Sequence, residues 1–422
     1  MGDVTRRIGL SLGADLCWPI CFEEIVRGLQ IRLPIDGDQV SLEVERLTIE
    51  PFDLRQPCRY DVVLDRVTHW YDTSREWIKK AILMDGLYVL NNPWSIQSME
   101  KQTSYCAMMH LGLPVPDTWM VPPRDYEFHP DLQTTLERYA RPFDLGKVGE
   151  ELGYPFFMKP YDGGAWVGVN RIDNEGELQK AYEQSGNRLM HLQQSVDPHD
   201  LFVRCIGVGP QVRPVRYNPS APLHERYEIA FEFLETDEAS LLEDMTLTIN
   251  TFFGWDFNSC EALRKDGVFH PIDFANACPD SQVTSLHYHF PWLVTAVARW
   301  AIFCAATQRP MRKTVDWDAY YEIAARDLEP REKLRAYGRI AAERLDTERF
   351  HEFCRQHIPH LDEVAWEFFG TDKAREAVRL KVESLFPPHE HDEFTEHFWG
   401  LIQFWRETEA EALGKSLETP TS

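Results

Sequence analysis

The segment GYPFFMKPYDGGAWVGV, residues 153–169, constrains this chain more than any other. Its apolar first half has the length and composition of a buried strand, yet it ends on a single lysine, Lys159. A glycine-rich loop, residues 162–168, follows at once, and its backbone N–H groups can wrap the oxygens of an anion that the ammonium also meets. The loop lacks the GxxxxGKS or GxxxxGKT spacing of a P-loop. No GxGxxG follows a strand and opens a helix, so a Rossmann fingerprint is absent too.

Two further features stand in order around it. Upstream, residues 98–111 carry Met99, Cys106, Met109 and His110 at helical spacing, with Lys101 near the start and a stop at Gly112 before Pro114 and Pro116. Downstream, the turn Lys265-Asp266-Gly267 joins two strands, 259–264 and 268–274. Glu261 lies on the first, and Asp273 and Asn276 lie at the end of the second. Magnesium prefers hard oxygen ligands and commonly takes one or two carboxylates plus substrate phosphates. Two lysines, a glycine loop and that carboxylate set, in this order, are what an ATP and Mg2+ site needs.

Around these features the chain reads as α/β. Strands are expected at 7–13, 60–65 and 86–90, with helices at 23–29 and 73–82, which predicts a parallel sheet. More strands are expected at 190–194, 201–208 and 227–234. From residue 281 the pattern becomes amphipathic helix throughout. At 422 residues the chain is too long for one core. The expected domains are 1–95, an N-terminal parallel α/β domain; 96–280, an α+β domain; and 281–422, a helical region.

Composition narrows the partners. With 44 Lys plus Arg against 68 Asp plus Glu, the net charge of -24 argues against nucleic acid, which needs clustered cations. The longest apolar stretch, 294–306, is interrupted by Arg299 and falls short of the roughly 20 residues a bilayer requires, so no membrane is expected. No apolar h-region follows Arg6 and Arg7, so nothing reads as a signal peptide and a cytoplasmic location is expected. Nine cysteines without a pair of CxxC motifs read as reduced thiols. His287 and His289, read on a strand, have metal-like spacing without an evident third ligand. His389, His391 and His397 read as solvated surface, and Trp366, Trp399 and Trp405 as packing. Against the acidic background Arg204, Arg213, Arg216 and Arg226 crowd into 23 positions, and arginine suits a phosphoryl group or a carboxylate. Arg66 and His69, after the second strand, are within reach of a substrate by this reading.

Four blocks, SMEKQTSYCAMMHLGLPVPDT, LGYPFFMKPYDGGAWVGV, HLQQSVDPHDLFVRCIGVG and SCEALRKDGVFHPIDFAN, together resemble the ATP-grasp ligase superfamily. The nearest flavour is the branch of ribosomal-protein glutamate ligases and glutathione synthetases. The resemblance implies an ATP-grasp fold of two subdomains behind the N-terminal α/β domain, with ATP and Mg2+ as cofactors. It makes Lys101 and Lys159 the phosphate lysines, and the loop with Gly163 and Gly164 the flap over the phosphates. Gln193, Gln194 and Val196 become the adenine hinge, and Asp200 the acid near ribose or phosphates, with Asp197 as a competitor. Glu261, Asp273 and Asn276 become the metal ligands. Arg216 and Arg226, flanking the loop 217–225, are the choices to stabilise an acyl-phosphate.

The chain departs from the family twice. The hairpin ends Asp273-Phe-Ala-Asn276 where the family has Glu-x-Asn, and the acid ahead of Arg204 stands farther off than usual. The implied reaction joins a carboxylate to an amine through an acyl-phosphate, on a small-molecule or peptide substrate with an amine co-substrate. A small-molecule kinase of the same fold and a non-catalytic nucleotide-binding module are the alternatives. Homodimerisation rests on analogy with the superfamily alone.

Overall fold

A computed structural model of the chain describes residues 2–67, 71–96, 100–162, 167–312 and 316–415. Its contacts gather into two compact units. Unit 1 holds Met1–Gln97, Val203–Ser259 and Asn276–Ser422, and unit 2 holds Ser98–Phe202 and Cys260–Ala275. The contacts thus divide the chain along other lines than residues 95 and 280.

In unit 1, β1 (Asp3–Ser11), β2 (Arg32–Ile35), β3 (Asp38–Arg46), β4 (Val62–Asp65) and β5 (Tyr88–Leu90) form a sheet in the order β2-β3-β1-β4-β5. All neighbours run parallel except β2 and β3. The expected parallel sheet is present, with an added hairpin at its edge. That hairpin turns at Asp36 and Gly37, both at positive φ (50° and 88°), as a two-residue turn between right-twisted strands requires. The segment after residue 281 is helical, as expected. Its first part, Val283–Ala306, is long and apolar enough to cross a membrane, and 89% of its most apolar window is buried inside the fold, so it is a core helix here. His287–His289 is a 3-10 turn within that run, not a strand.

Residues 227–234 are not a strand either. Tyr227 makes an isolated bridge to Tyr217, after which the chain is irregular as far as the helix Thr236–Phe253. Phe231 is exposed and Glu232 has φ 51°, which breaks the pleat that its apolar residues suggest.

Unit 2 is built on β6 (Thr118–Val121), β7 (Phe156–Pro160), β8 (Asn170–Ile172) and β9 (Met190–Gln194), an antiparallel sheet in the order β6-β9-β7-β8. The helices Leu145–Leu152 and Glu175–Ser185 supply Leu145, Leu152, Leu178 and Ala181 to a core with Val121, Phe156, Met158, Ile172, Met190 and Leu192. The chain then continues through β10 (Leu201–Val208), β11 (Gln211–Arg216), β12 (Phe257–Lys265) and β13 (Val268–Asp273). In unit 1, β11, β10 and the start of β12 lie in that order, and in unit 2 the rest of β12 pairs with β13.

Candidate active site

Strand alternation places the first lysine. On β7, Phe156 and Met158 enter the core, so Phe157 and Lys159 point to the opposite face. On β9, Met190 and Leu192 enter the same core, leaving His191 and Gln193 beside Lys159, because the register pairs Lys159 with His191 and Phe157 with Gln193. Lys159 Nζ donates to Gln193 Oε1 at 2.6 Å, and Gln193 Nε2 donates to Thr118 Oγ1 at 3.2 Å.

The second lysine opens the helix Lys101–His110 and forms an ion pair with Asp273. Asp273 faces Glu261 because the β12–β13 register slips by one residue. Ala262 opposes Pro271, the next pair is Glu261 with Asp273, and Ile272 is left out as a bulge. Tyr105, one turn after Lys101, fixes that bulge by donating its hydroxyl to the Ile272 carbonyl at 2.9 Å. Its ring packs 5.4 Å from Phe274 and 5.6 Å from the His191 imidazole.

Unit 2 therefore brings together Lys101, Lys159, Gln193, Glu261 and Asp273. Burial, aided by the charge of Lys101, pulls the Lys159 ammonium down to about 8, against the opposing pull of Asp273 and Glu261. Burial, then Lys159 and Lys101, brings His191 down to about 3, so its ring is neutral. His191 is 0% exposed and neither ring nitrogen has a hydrogen-bond partner among the described residues.

The other expected residues lie elsewhere or are engaged locally. Gln194 ends β9 exposed, with its N–H bonded to the Asp117 carbonyl, and Val196 is buried. Asp200 is held by Arg264 at 3.0 Å and 3.1 Å, which lowers its carboxyl below the usual range, and Asp197 takes Arg171 and the Ser195 hydroxyl, each at 2.6 Å. Asn276 belongs to unit 1, where its N–H meets Asn258 Oδ1 at 2.8 Å and its amide donates to the Ser259 carbonyl at 3.1 Å. Gly163, Gly164 and His69 lie outside the described residues.

The arginines also sit in unit 1. Arg216 pairs with Glu228 at 2.9 Å, and Arg226 donates Nε to the Ala221 carbonyl at 3.1 Å, bracing the loop it was expected to flank. Arg204 stands over the edge-to-face pair of Tyr217 (5.6 Å) and Tyr227 (5.5 Å). Arg66 donates to the Pro279 carbonyl at 2.6 Å.

Sequence reading passed over His191 and Tyr105. Tyr105 stands four residues after Lys101, and His191 two before Gln193, so each shares a face with a residue already singled out. Among the described residues no group of three or more His, Cys, Asp or Glu is placed to hold a metal. The Glu261–Asp273 pair nevertheless offers hard oxygens, and Asp273 already holds the cationic group of Lys101, so the donor set fits a small divalent cation.

No family model matches the chain. Among curated proteins, D-alanine–D-alanine ligase of Bacillus cytotoxicus is 30% identical over 111 residues, which is 24% of this chain and 30% of that protein. The chain thus spans about a third of that relative's length. The fold is similar to a RimK domain ATP-grasp protein from Sphaerobacter thermophilus, with 13% identity, 70% of this chain and 99% of that one covered, and a TM-score of 0.46. It is also similar to D-alanine–D-alanine ligase from Bacillus anthracis complexed with ATP, with 14% identity, 71% and 97% covered, and a TM-score of 0.44.

Proposed function

We propose that the chain is an ATP-dependent carboxylate–amine ligase of the ATP-grasp kind, forming ADP and an amide through an acyl-phosphate. One observation carries the reading. Two lysines and a glutamine from three elements converge with a cross-strand carboxylate pair, which is a cation-and-carboxylate set with no evident use in holding the fold together. The family resemblance of the four sequence blocks and the partial likeness to a D-alanine–D-alanine ligase support it.

In this reading Lys101 and Lys159 neutralise the triphosphate, and Gln193 and Gln194 meet the base. Glu261 and Asp273 would hold Mg2+, whose charge would screen the phosphate oxygens. Phosphoryl transfer asks a protein mainly for position and charge, so no covalent nucleophile of the chain is required. Lys101, which pairs with Asp273, would release that carboxylate to a metal and turn its own ammonium to the phosphates. The nine free thiols suit a reducing, cytoplasmic setting.

The test is ADP release with Mg2+ and ATP against panels of carboxylates and amines, singly and paired, with Lys159→Ala as control. Release that needs both partners and is lost in the variant supports ligation. Release with a hydroxyl compound alone turns the reading to a kinase, and nucleotide binding without release for any pair turns it to a binding module.

A further inference from the structure

The bulge at Ile272 decides where Asp273 points. In an unbroken antiparallel ladder Ile272 would follow Pro271 and stand opposite Glu261, and Asp273, one step on, would turn to the other face of the hairpin. The extra residue puts Asp273 across from Glu261 instead, so the two carboxylates share a face. A bulged residue falls out of the ladder, and the Ile272 carbonyl takes its hydrogen bond from a side chain, the Tyr105 hydroxyl at 2.9 Å.

Packing explains the ring of Tyr105 and leaves the hydroxyl over. The residue is 2% exposed, with Phe274 and His191 against its ring, and a phenylalanine would fill the same space. A buried hydroxyl costs desolvation unless it is bonded, and burial, then the charge of Asp273, pushes this one well above its ordinary range, so it stays protonated and donates. Lys101, one turn earlier on the same helix face, meets the Asp273 side chain itself. The two contacts serve different states. The Lys101 ion pair would open when the carboxylate turns to a cation, whereas the Tyr105 bond is to the backbone and keeps Asp273 in place throughout. Tyr105, Lys101, Glu261, Ile272 and Asp273 all belong to unit 2.

We propose that Tyr105 is a positioning residue for the cation site: through the Ile272 carbonyl its hydroxyl holds the bulge that keeps Asp273 across from Glu261, and so sets how strongly a divalent cation supports nucleotide binding. This rests on the ligase reading, in which Glu261 and Asp273 face the metal. Tyr105 acts through Asp273 and is not itself a ligand.

The full chain is titrated with ADP by calorimetry, once with EDTA and once with Mg2+, and the ratio of the two affinities is the metal enhancement. Tyr105→Phe keeps the ring, binds metal-free ADP as wild type does, and loses about fivefold or more of the enhancement, the worth of one hydrogen bond. In a chain carrying Asp273→Asn the same substitution changes the enhancement by less than about twofold, because the residue it acts through is already gone. Leu192→Ala, less stable than Tyr105→Phe in urea, keeps the full enhancement, which separates positioning from general loss of stability. The proposal is overturned if Tyr105→Phe keeps the enhancement within about twofold, or loses as much of it with asparagine at 273 as with aspartate. An ADP affinity that Mg2+ leaves unchanged in wild type removes the cation site, and the proposal with it, while nucleotide binding stands. A wild type that binds no ADP in either condition removes the ligase reading itself.

Discussion

The two faces of the β6-β9-β7-β8 sheet differ as much as any two parts of the molecule, although their residues alternate along the same strands. On one face Met158, Leu192, Phe156 and Met190 are closed under two helices and need nothing further. On the other, Lys159, His191 and Gln193 are held among charges and orphaned ring nitrogens. The first face supplies stability. On the proposed reading the second gains stability when an anion binds, since a ligand that binds only the folded state adds its own free energy to folding. A period of two lets one strand do both, one residue apart.

Separate roles imply separable damage. The largest expected effect is on the apolar face: Leu192→Ala, at a fully buried position, lowers stability by about 2–5 kcal/mol through lost transfer energy and a cavity. Urea unfolding measures it, and MgATP affinity of the folded protein stays at its wild-type value. Next comes Lys159→Ala, which removes charge-assisted hydrogen bonds worth about 1.5–3 kcal/mol each and so weakens MgATP by roughly 10- to 150-fold in calorimetry, with stability unchanged or slightly raised. If each variant produced the other's effect, the division between the faces would not stand.

The sequence makes some of this division legible. Lys159 and Asp273 stand out because a charge at the end of an apolar strand is hard to explain by packing, and Gln193 follows from the block it stands in. The bulge at Ile272 is different. The spacing Asp273-Phe-Ala-Asn276 left the register open, and only the pairing of Glu261 with Asp273 resolves where the carboxylate points. The Asp36-Gly37 turn is a readable signal for β2 and β3 that the expected strands do not include, while 227–234 has the residues of a strand but, among the described residues, pairs only through Tyr227 with Tyr217. His191 gives only a weak signal, its place two residues before Gln193, because a lone histidine within an apolar run looks the same whether it faces a core or a site.

A smaller effect sharpens the account of the charged face through pH. Lys159 titrates near 8 in the free protein, and a bound phosphate holds it protonated to higher pH. Below about 8 the lysine is charged in both states and MgATP affinity is flat with respect to this group. Above about 8 the free protein has lost the proton that binding must restore, so affinity falls, by at most about tenfold per pH unit. Calorimetry at pH 7, 8 and 9 reads the slope, and in Lys159→Ala the slope is absent. A slope of equal size in that variant would assign the titration to another group.

The smallest expected effect is the one that isolates the cost of the polar face. His191 is buried without hydrogen bonds among the described residues, and an orphaned polar group costs about 1–3 kcal/mol, so His191→Leu stabilises the free protein, by about 1 kcal/mol after imperfect packing is allowed for. The gain has a pH signature with a definite sign. The folded ring titrates near 3 and the unfolded one near its ordinary value of 6.5, so between those limits the unfolded chain binds the extra proton. This term makes wild-type stability rise with pH across that window and fall as the solution is acidified. Leucine has no such term, and the advantage of His191→Leu over wild type widens as pH drops from 7 toward 4. Urea midpoints at pH 7 and 5 test it. An advantage that stays constant, or a loss of stability at both values, would mean that the imidazole finds a partner in solution and that the polar face is better satisfied than its hydrogen bonds suggest.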